Sequence, residues 1–159
     1  MKILIVSDTQ RQHRNLEKAI EKERPFDMLI HLGDVEGGDD YIAALAECPT
    51  YFVRGNNDFF SDLPAEDELM VEGYHIFITH GHAYYVSMGE ERLIQEAKER
   101  DADIVMYGHT HRPSCRKDEN LLILNPGSMS YPRQEGRRPS YMLMHIDDQG
   151  RVEVSQEYL

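Results

Sequence analysis

Five apolar runs in this chain stop on the same kinds of residue, and that repetition constrains the fold more than any other feature. "KILIVSDTQ" (2–10), "DMLIHLGD" (27–34), "TYFVRGNND" (50–58), "YHIFITHGH" (74–82) and "DIVMYGHTH" (103–111) each pass from apolar residues into a carboxylate, an amide or an imidazole. Apolar stretches without polar alternation are the pattern of strands covered on both faces. Ligands of such sheets gather at the carboxyl ends of the strands, which is where these polar groups fall. Gly33, Gly55, Gly81 and Gly108 let the backbone turn sharply there and leave room beside a bulky site.

Helical patterns separate the first runs. From Asn15 to Arg24, Leu16, Ala19 and Ile20 recur at helical spacing among charged residues, and Pro25 stops the helix. Asp39 or Asp40 is expected to cap a short helix carrying Ile42, Ala43 and Leu45. Leu93, Ile94 and Ala97 mark a third helix over Glu90 to Arg100. The run from Lys2 to Val6 reads as a central strand, and Glu72-Gly73 as a tight hairpin turn. The final third ("NLLILNPGS", "SYMLMHID", "RVEVSQEY") reads as strand and turn, with "DDQG" between the last two strands. A β-α-β-α-β opening followed by a β meander predicts sheets packed face to face with helices outside, in one domain over residues 1–159.

Composition narrows the class. A chain of 159 residues with 40% hydrophobic and 29% charged residues can bury one core. Its net charge of −12 argues against strong nucleic-acid binding. No apolar run approaches the ~18 residues of a membrane helix, and no leader pattern opens the chain. Cys48 and Cys115 build no disulfide framework. A cytoplasmic location without membrane attachment is expected.

The polar strand ends collect Asp8, Gln10, Asp34, Asn56, Asn57, Asp58, His80, His82, His109 and His111. Mixed nitrogen and oxygen donors without thiolates suit manganese, iron, zinc or cobalt, and not a structural zinc finger. Two divalent ions roughly 3.5–4 Å apart, sharing one carboxylate, would polarise a phosphate ester and generate hydroxide from water. Taken singly, each residue has a plainer explanation: Asp34 could cap the following helix, and Asn56 could supply a left-handed turn. Five such ends together exceed what caps and turns explain. His13, His31, His75 and His145 lie at a helix start or inside strands and receive no role. His82 stays open between touching substrate, supporting His80 and simple exposure. Arg54, Arg112 and Arg133 are the cations nearest these stretches, and their planar forks suit phosphate oxygens. Ser128 reads as a loop residue that supports the site through hydrogen bonds.

The ordered set Asp-x-Gln, Gly-Asp, Gly-Asn-x-Asp, His-Gly and Gly-His-x-His, with "NPGSMSYPR" at 125–133, resembles the calcineurin-like metallophosphoesterases, in their small bacterial and archaeal phosphodiesterase branch. The resemblance covers nearly the whole chain. It implies an α/β (α+β) fold, a four-layer α-β-β-α sandwich of two mixed sheets packed face to face with helices outside. It also implies a metal-dependent phosphodiesterase or phosphatase with two divalent ions, manganese first and iron, zinc, nickel or cobalt as alternatives. Carried over by position, Asp8 and His111 would hold the first ion, Asp34 would bridge, and Asn56, His80 and His109 would hold the second. Asp34, Asn56 and His80 are thereby the expected catalytic residues, with Arg112, Arg133 and Asn57 at a small phosphate-ester substrate. Relatives also imply a homodimer.

Two positions depart from the family pattern. Gln10 stands where a ligand histidine is usual, and its amide carbonyl is a neutral oxygen donor of similar reach. The first site would then be weak or empty, with preference shifted towards harder ions such as manganese. Asn57 stands where many relatives carry the histidine that protonates the leaving group, and Asp58, the usual orienter of that histidine, is left to stabilise the loop. The alternative reading is a catalytically weak protein of the same fold acting as a binding or scaffold module, as one retromer subunit does.

Overall fold

The computed structural model describes all 159 residues. In the first sheet, β1 (Lys2–Val6), β2 (Met28–His31) and β3 (Thr50–Phe52) run parallel, and β9 (Ser140–Ile146) and β10 (Val152–Tyr158) complete the order β10-β9-β1-β2-β3. The expected central strand is central: β1 pairs with β2 on one side and antiparallel with β9 on the other. In the second sheet, β4 (Glu66–Val71), β5 (Tyr74–Thr79), β6 (Ile104–Met106), β7 (Ser114–Asp118) and β8 (Leu121–Asn125) take the order β4-β5-β6-β8-β7. Strands β5, β6 and β8 are parallel, and antiparallel β4 and β7 form the edges.

Side-chain alternation assembles four layers from these sheets. Along β1, Ile3 and Ile5 turn inward to Ile30, Ile76, Ile78, Ile104, Met106 and Met142 between the sheets. Leu4 and Val6 turn outward, where α1 (Arg14–Glu23) and α2 (Asp39–Ala46) cover them with Leu16, Ala19, Ile20 and Ile42. On the far side, α3 (Glu91–Glu99) lays Leu93, Ile94 and Ala97 on Phe77, Val105 and Ile123. A strand whose residues are apolar at every position is what burial on both faces requires.

Two local expectations are modified and a third, the hairpin turn, holds. The first-turn carboxylates of α2 make no side-chain cap; Gly38, in the left-handed region, precedes the helix instead. The Glu72-Gly73 turn between β4 and β5 has both residues at positive φ (50° and 86°), the conformation of a two-residue hairpin of matching twist. The final third is no single meander: β7-β8 form a hairpin in the second sheet and β9-β10 one in the first. Strand β7 ("SCRKD") is polar and largely exposed, so no apolar alternation announces it; charged edge strands are common because they discourage pairing with other chains.

Candidate metal centre

The carboxyl ends of the parallel strands in both sheets meet along one rim. From β1 the chain enters the segment of Asp8 and Gln10, and from β2 that of Asp34. Beyond β3 come Asn56, Asn57 and Asp58, beyond β5 His80, and beyond β6 His109 and His111. Asp8, Asp34 and His80 are buried, and one donor atom from each lies within 4.8 Å of the others. Asp8, Gln10, Asp34, His109 and His111 all adopt positive φ, between 48° and 70°. Non-glycine residues in that region cost roughly 1–3 kcal/mol each and cluster at functional sites. A side chain at Gly55 would run into the Asp34 carboxylate, and one at Gly108 into Ser7 and Asp8.

Hydrogen bonds decide which atoms face the centre. His80 donates from Nδ1 to the Leu32 carbonyl (2.7 Å) and His111 from Nδ1 to the Tyr131 carbonyl (2.8 Å). Each ring therefore turns an Nε2 lone pair inward, the tautomer that carbonyl-anchored metal-binding histidines adopt. His111 Nε2 stands 3.2 Å from Asp8 Oδ1, and His80 Nε2 stands 3.8 Å from Asp8 Oδ1 and 3.5 Å from Asp34 Oδ2. Asp8 Oδ1 and His80 Nε2 are buried without a hydrogen-bond partner. Two orphaned lone-pair donors this close together fit a cation. The donor set of carboxylates and imidazoles suits divalent ions.

Charge points the same way. Burial alone would lower the His80 pKa, but its contacts with Asp34 and Asp8 outweigh burial and raise it to about 9. Burial opposes ionisation of Asp34, yet His80 and the Asn57 donors hold its carboxyl well below the usual range. Two buried carboxylates thus demand a positive charge, which a proton on His80 or a bound cation can provide. Burial and the neighbouring His80 lower the pKa of both His82 and His109.

The remaining residues divide. Asn57 donates its backbone N–H to Asp34 Oδ1 and its side-chain amide to Asp34 Oδ2, both at 2.9 Å. Asn56, expected to hold the second ion, is exposed, and it is Asn57 that reaches Asp34. Gln10 Nε2 lies 3.5 Å from His111 Nε2, at the edge of the cluster. His109 packs edge-on against His80 at 5.1 Å between ring centres, and exposed His82 lies 5.4 Å from His80. Asp58 is buried and accepts the backbone N–H groups of Asp34, Glu36 and Gly55 at 2.6–2.9 Å. Ser128 donates to the Asp8 carbonyl (2.9 Å) and accepts from Ser130 and Tyr131. Arg112 and Arg133 border a cleft with Gln10 and His111, whereas Arg54 is exposed and its charge reaches His82.

Sequence reasoning passed over four residues. Ser7 donates to Asp8 Oδ2 at 2.6 Å, and the side chains of His31 and Thr9 hydrogen-bond at 3.0 Å beneath the site. Arg137 joins the cleft of Arg112 and Arg133 from a turn distant in sequence. Of these, only Ser7 carried a signal, as the residue between a buried strand and its terminal carboxylate.

Residues 1–149 match the family model of the calcineurin-like phosphoesterase superfamily domain, and the chain belongs to that superfamily. It is similar to the probable metallophosphoesterase YsnB of Bacillus subtilis, with 30% identity over 93% of this chain and 86% of that protein. A phosphodiesterase of Methanocaldococcus jannaschii is also 30% identical, over 80% of this chain and 83% of its own. Among solved structures, a predicted phosphoesterase from Streptococcus pneumoniae superposes with a TM-score of 0.82 at 27% identity, covering 98% of this chain and 97% of that one. The two five-stranded sheets with their flanking helices are the α/β sandwich of this superfamily. No helix is long and apolar enough to cross a membrane.

Proposed function

We propose that this chain is a metal-dependent phosphodiesterase whose Asp8, Gln10, Asp34, His80, His109 and His111 hold two divalent ions, manganese foremost. The observation that carries the reading is the pair of carbonyl-anchored histidines whose free Nε2 atoms converge on Asp8 and Asp34. When bound, such ions supply Lewis acidity at a phosphoryl oxygen and a nucleophile drawn from water. The phosphodiesterase of Methanocaldococcus jannaschii, similar over most of both chains, supports the same substrate class.

The chain's own groups set the rest. Asp34 would be the carboxylate shared by the ions; both Asn57 donors hold it in orientation, and Asp58 fixes the loop that carries it. Asn56 would join the ligands only by turning its exposed amide inward. Asn57 has no titrating proton to give a leaving group, so esters with good leaving groups react best. Arg112 and Arg133 line a cleft beside the centre, where an anionic part of the substrate away from the ions would be received. Gln10 makes the first ion the weaker held, through an amide oxygen where an imidazole would bind more tightly.

The test is hydrolysis of bis(p-nitrophenyl) phosphate by metal-stripped protein supplied in turn with manganese, nickel, cobalt, zinc or magnesium. Manganese should restore turnover, Asp34→Asn should lower it at least about a hundredfold, and Gln10→His should reduce the ion concentration needed. Absence of turnover with every ion, in the parent and in Gln10→His, would sink the reading.

A further inference from the structure

We propose that the cleft beside His111 is a subsite for a second phosphoryl group of the substrate, so that preferred esters carry one phosphate at the metal centre and another beyond it. This deepens, and rests on, the phosphodiesterase reading. The cleft has a volume of about 540 Å³ and is lined by Gln10, His111, Arg112, Tyr131, Arg133 and Arg137, without a carboxylate. In a chain with 29 acidic residues against 17 basic ones, such a lining is an exception. Arg100, Arg116 and Arg151 are each paired with Asp or Glu. The three arginines of the cleft are exposed and stand among neutral or imidazole neighbours.

The cleft is joined to the centre through backbone bonds. Tyr131 offers its carbonyl to His111 Nδ1, and the Arg133 N–H donates to the His111 carbonyl at 3.0 Å. Gln12 donates to the Tyr131 hydroxyl. Arg137 is delivered by a turn in which its N–H donates to the Gln134 carbonyl at 3.0 Å and its φ is 45°. A group bound here therefore sits next to a residue that also faces Asp8.

Charge counting separates this group from the scissile one. Two divalent cations, once bound, would be balanced by Asp8, Asp34, a hydroxide and the diester anion, with no arginine needed. Three guanidinium forks then remain without a counter-charge, and their planar, bidentate geometry matches phosphate oxygens. A terminal phosphate monoester supplies the missing anion.

A matched pair of substrates tests this: thymidine 5′-(p-nitrophenyl phosphate) with and without a 3′-phosphate, assayed with manganese. The added phosphate should raise kcat/KM at least about tenfold, and Arg137→Glu should remove most of that gain while leaving the plain ester unchanged. A second readout is independent of turnover: calorimetry on the metal-stripped protein should detect inorganic pyrophosphate binding that Arg137→Glu abolishes, with circular dichroism confirming the fold of the variant. Equal turnover of the two esters overturns the subsite and leaves the phosphodiesterase reading intact. Pyrophosphate binding without a gain from the 3′-phosphate assigns the cleft to a free anion and overturns the substrate inference. No turnover of either ester with any ion overturns the phosphodiesterase reading and this inference together.

Discussion

His31 shows how a residue without a visible role in sequence acquires one from its surroundings. It is fully buried on β2, stacked on Phe52, and its Nδ1 accepts the Gly33 N–H at 3.2 Å. The ring proton is therefore on Nε2, which donates to Thr9 Oγ1. A second proton on Nδ1 would oppose two N–H groups. Burial, the largest influence, lowers its pKa to about 3, against smaller upward pulls from Asp8 and Asp34 and downward ones from His13 and His80. The unfolded chain takes up this proton below about pH 6.5 while the folded chain refuses it. The associated stability is present above that pH and is lost as pH falls towards 3, at up to about 1.4 kcal/mol per pH unit. Urea unfolding midpoints should therefore drop less steeply between pH 6 and pH 4 in His31→Gln than in the parent protein; identical slopes would refute the neutral buried imidazole. At this scale the sequence displayed Asp8, Asp34, His80, His109 and His111 by their position after strands. It assigned Asn56 to an ion and Asn57 to the substrate, whereas Asn57 is the one turned onto Asp34, because the orientation of these adjacent residues depends on how the 53–58 loop folds back on Asp34.

Among the elements, α3 was the easiest to read and is the most independent of the site. Leu93 is wholly buried against the outer face of the second sheet. Arg100, just past the helix, ties it to the sheet through Glu66 and Glu68 while lying over the Phe77 ring at 4.2 Å. Leu93→Ala should cost about 3 kcal/mol in denaturant unfolding, the usual range for a buried leucine, and leave metal affinity unchanged because α3 lies across the sheet from the inter-sheet core. A matching loss of metal affinity would show that helix and site are coupled. Helical spacing revealed α1 and α3 because burial on one face leaves a periodic trace. The polar edge strand β7 left none, since its place is set by backbone pairing with β8.

For the whole molecule, the centre spans the two sheets: Asp8 and Asp34 come from the first, and His80, His109 and His111 from the second. An ion bound there is held only when both sheets are in place, so it stabilises the folded state by mass action, by about 2.7 kcal/mol at a hundredfold excess over its Kd. Manganese should raise the thermal unfolding midpoint, a chelator should reverse the rise, and Asp34→Asn should remove most of it. An unshifted midpoint in the parent protein would argue against binding across the sheets. The sequence by itself determined the apolar strands, the helical faces and the polar residues that end each strand, because these depend on local periodicity and on the chemistry of single side chains. Only the tertiary structure decided which Nε2 atoms turn towards which carboxylates, that Asn57 reaches Asp34, and that Arg112, Arg133 and Arg137 share one cleft. Those facts depend on the packing of segments up to 127 residues apart in a chain running from Gln10 to Arg137, and no local pattern encodes that proximity.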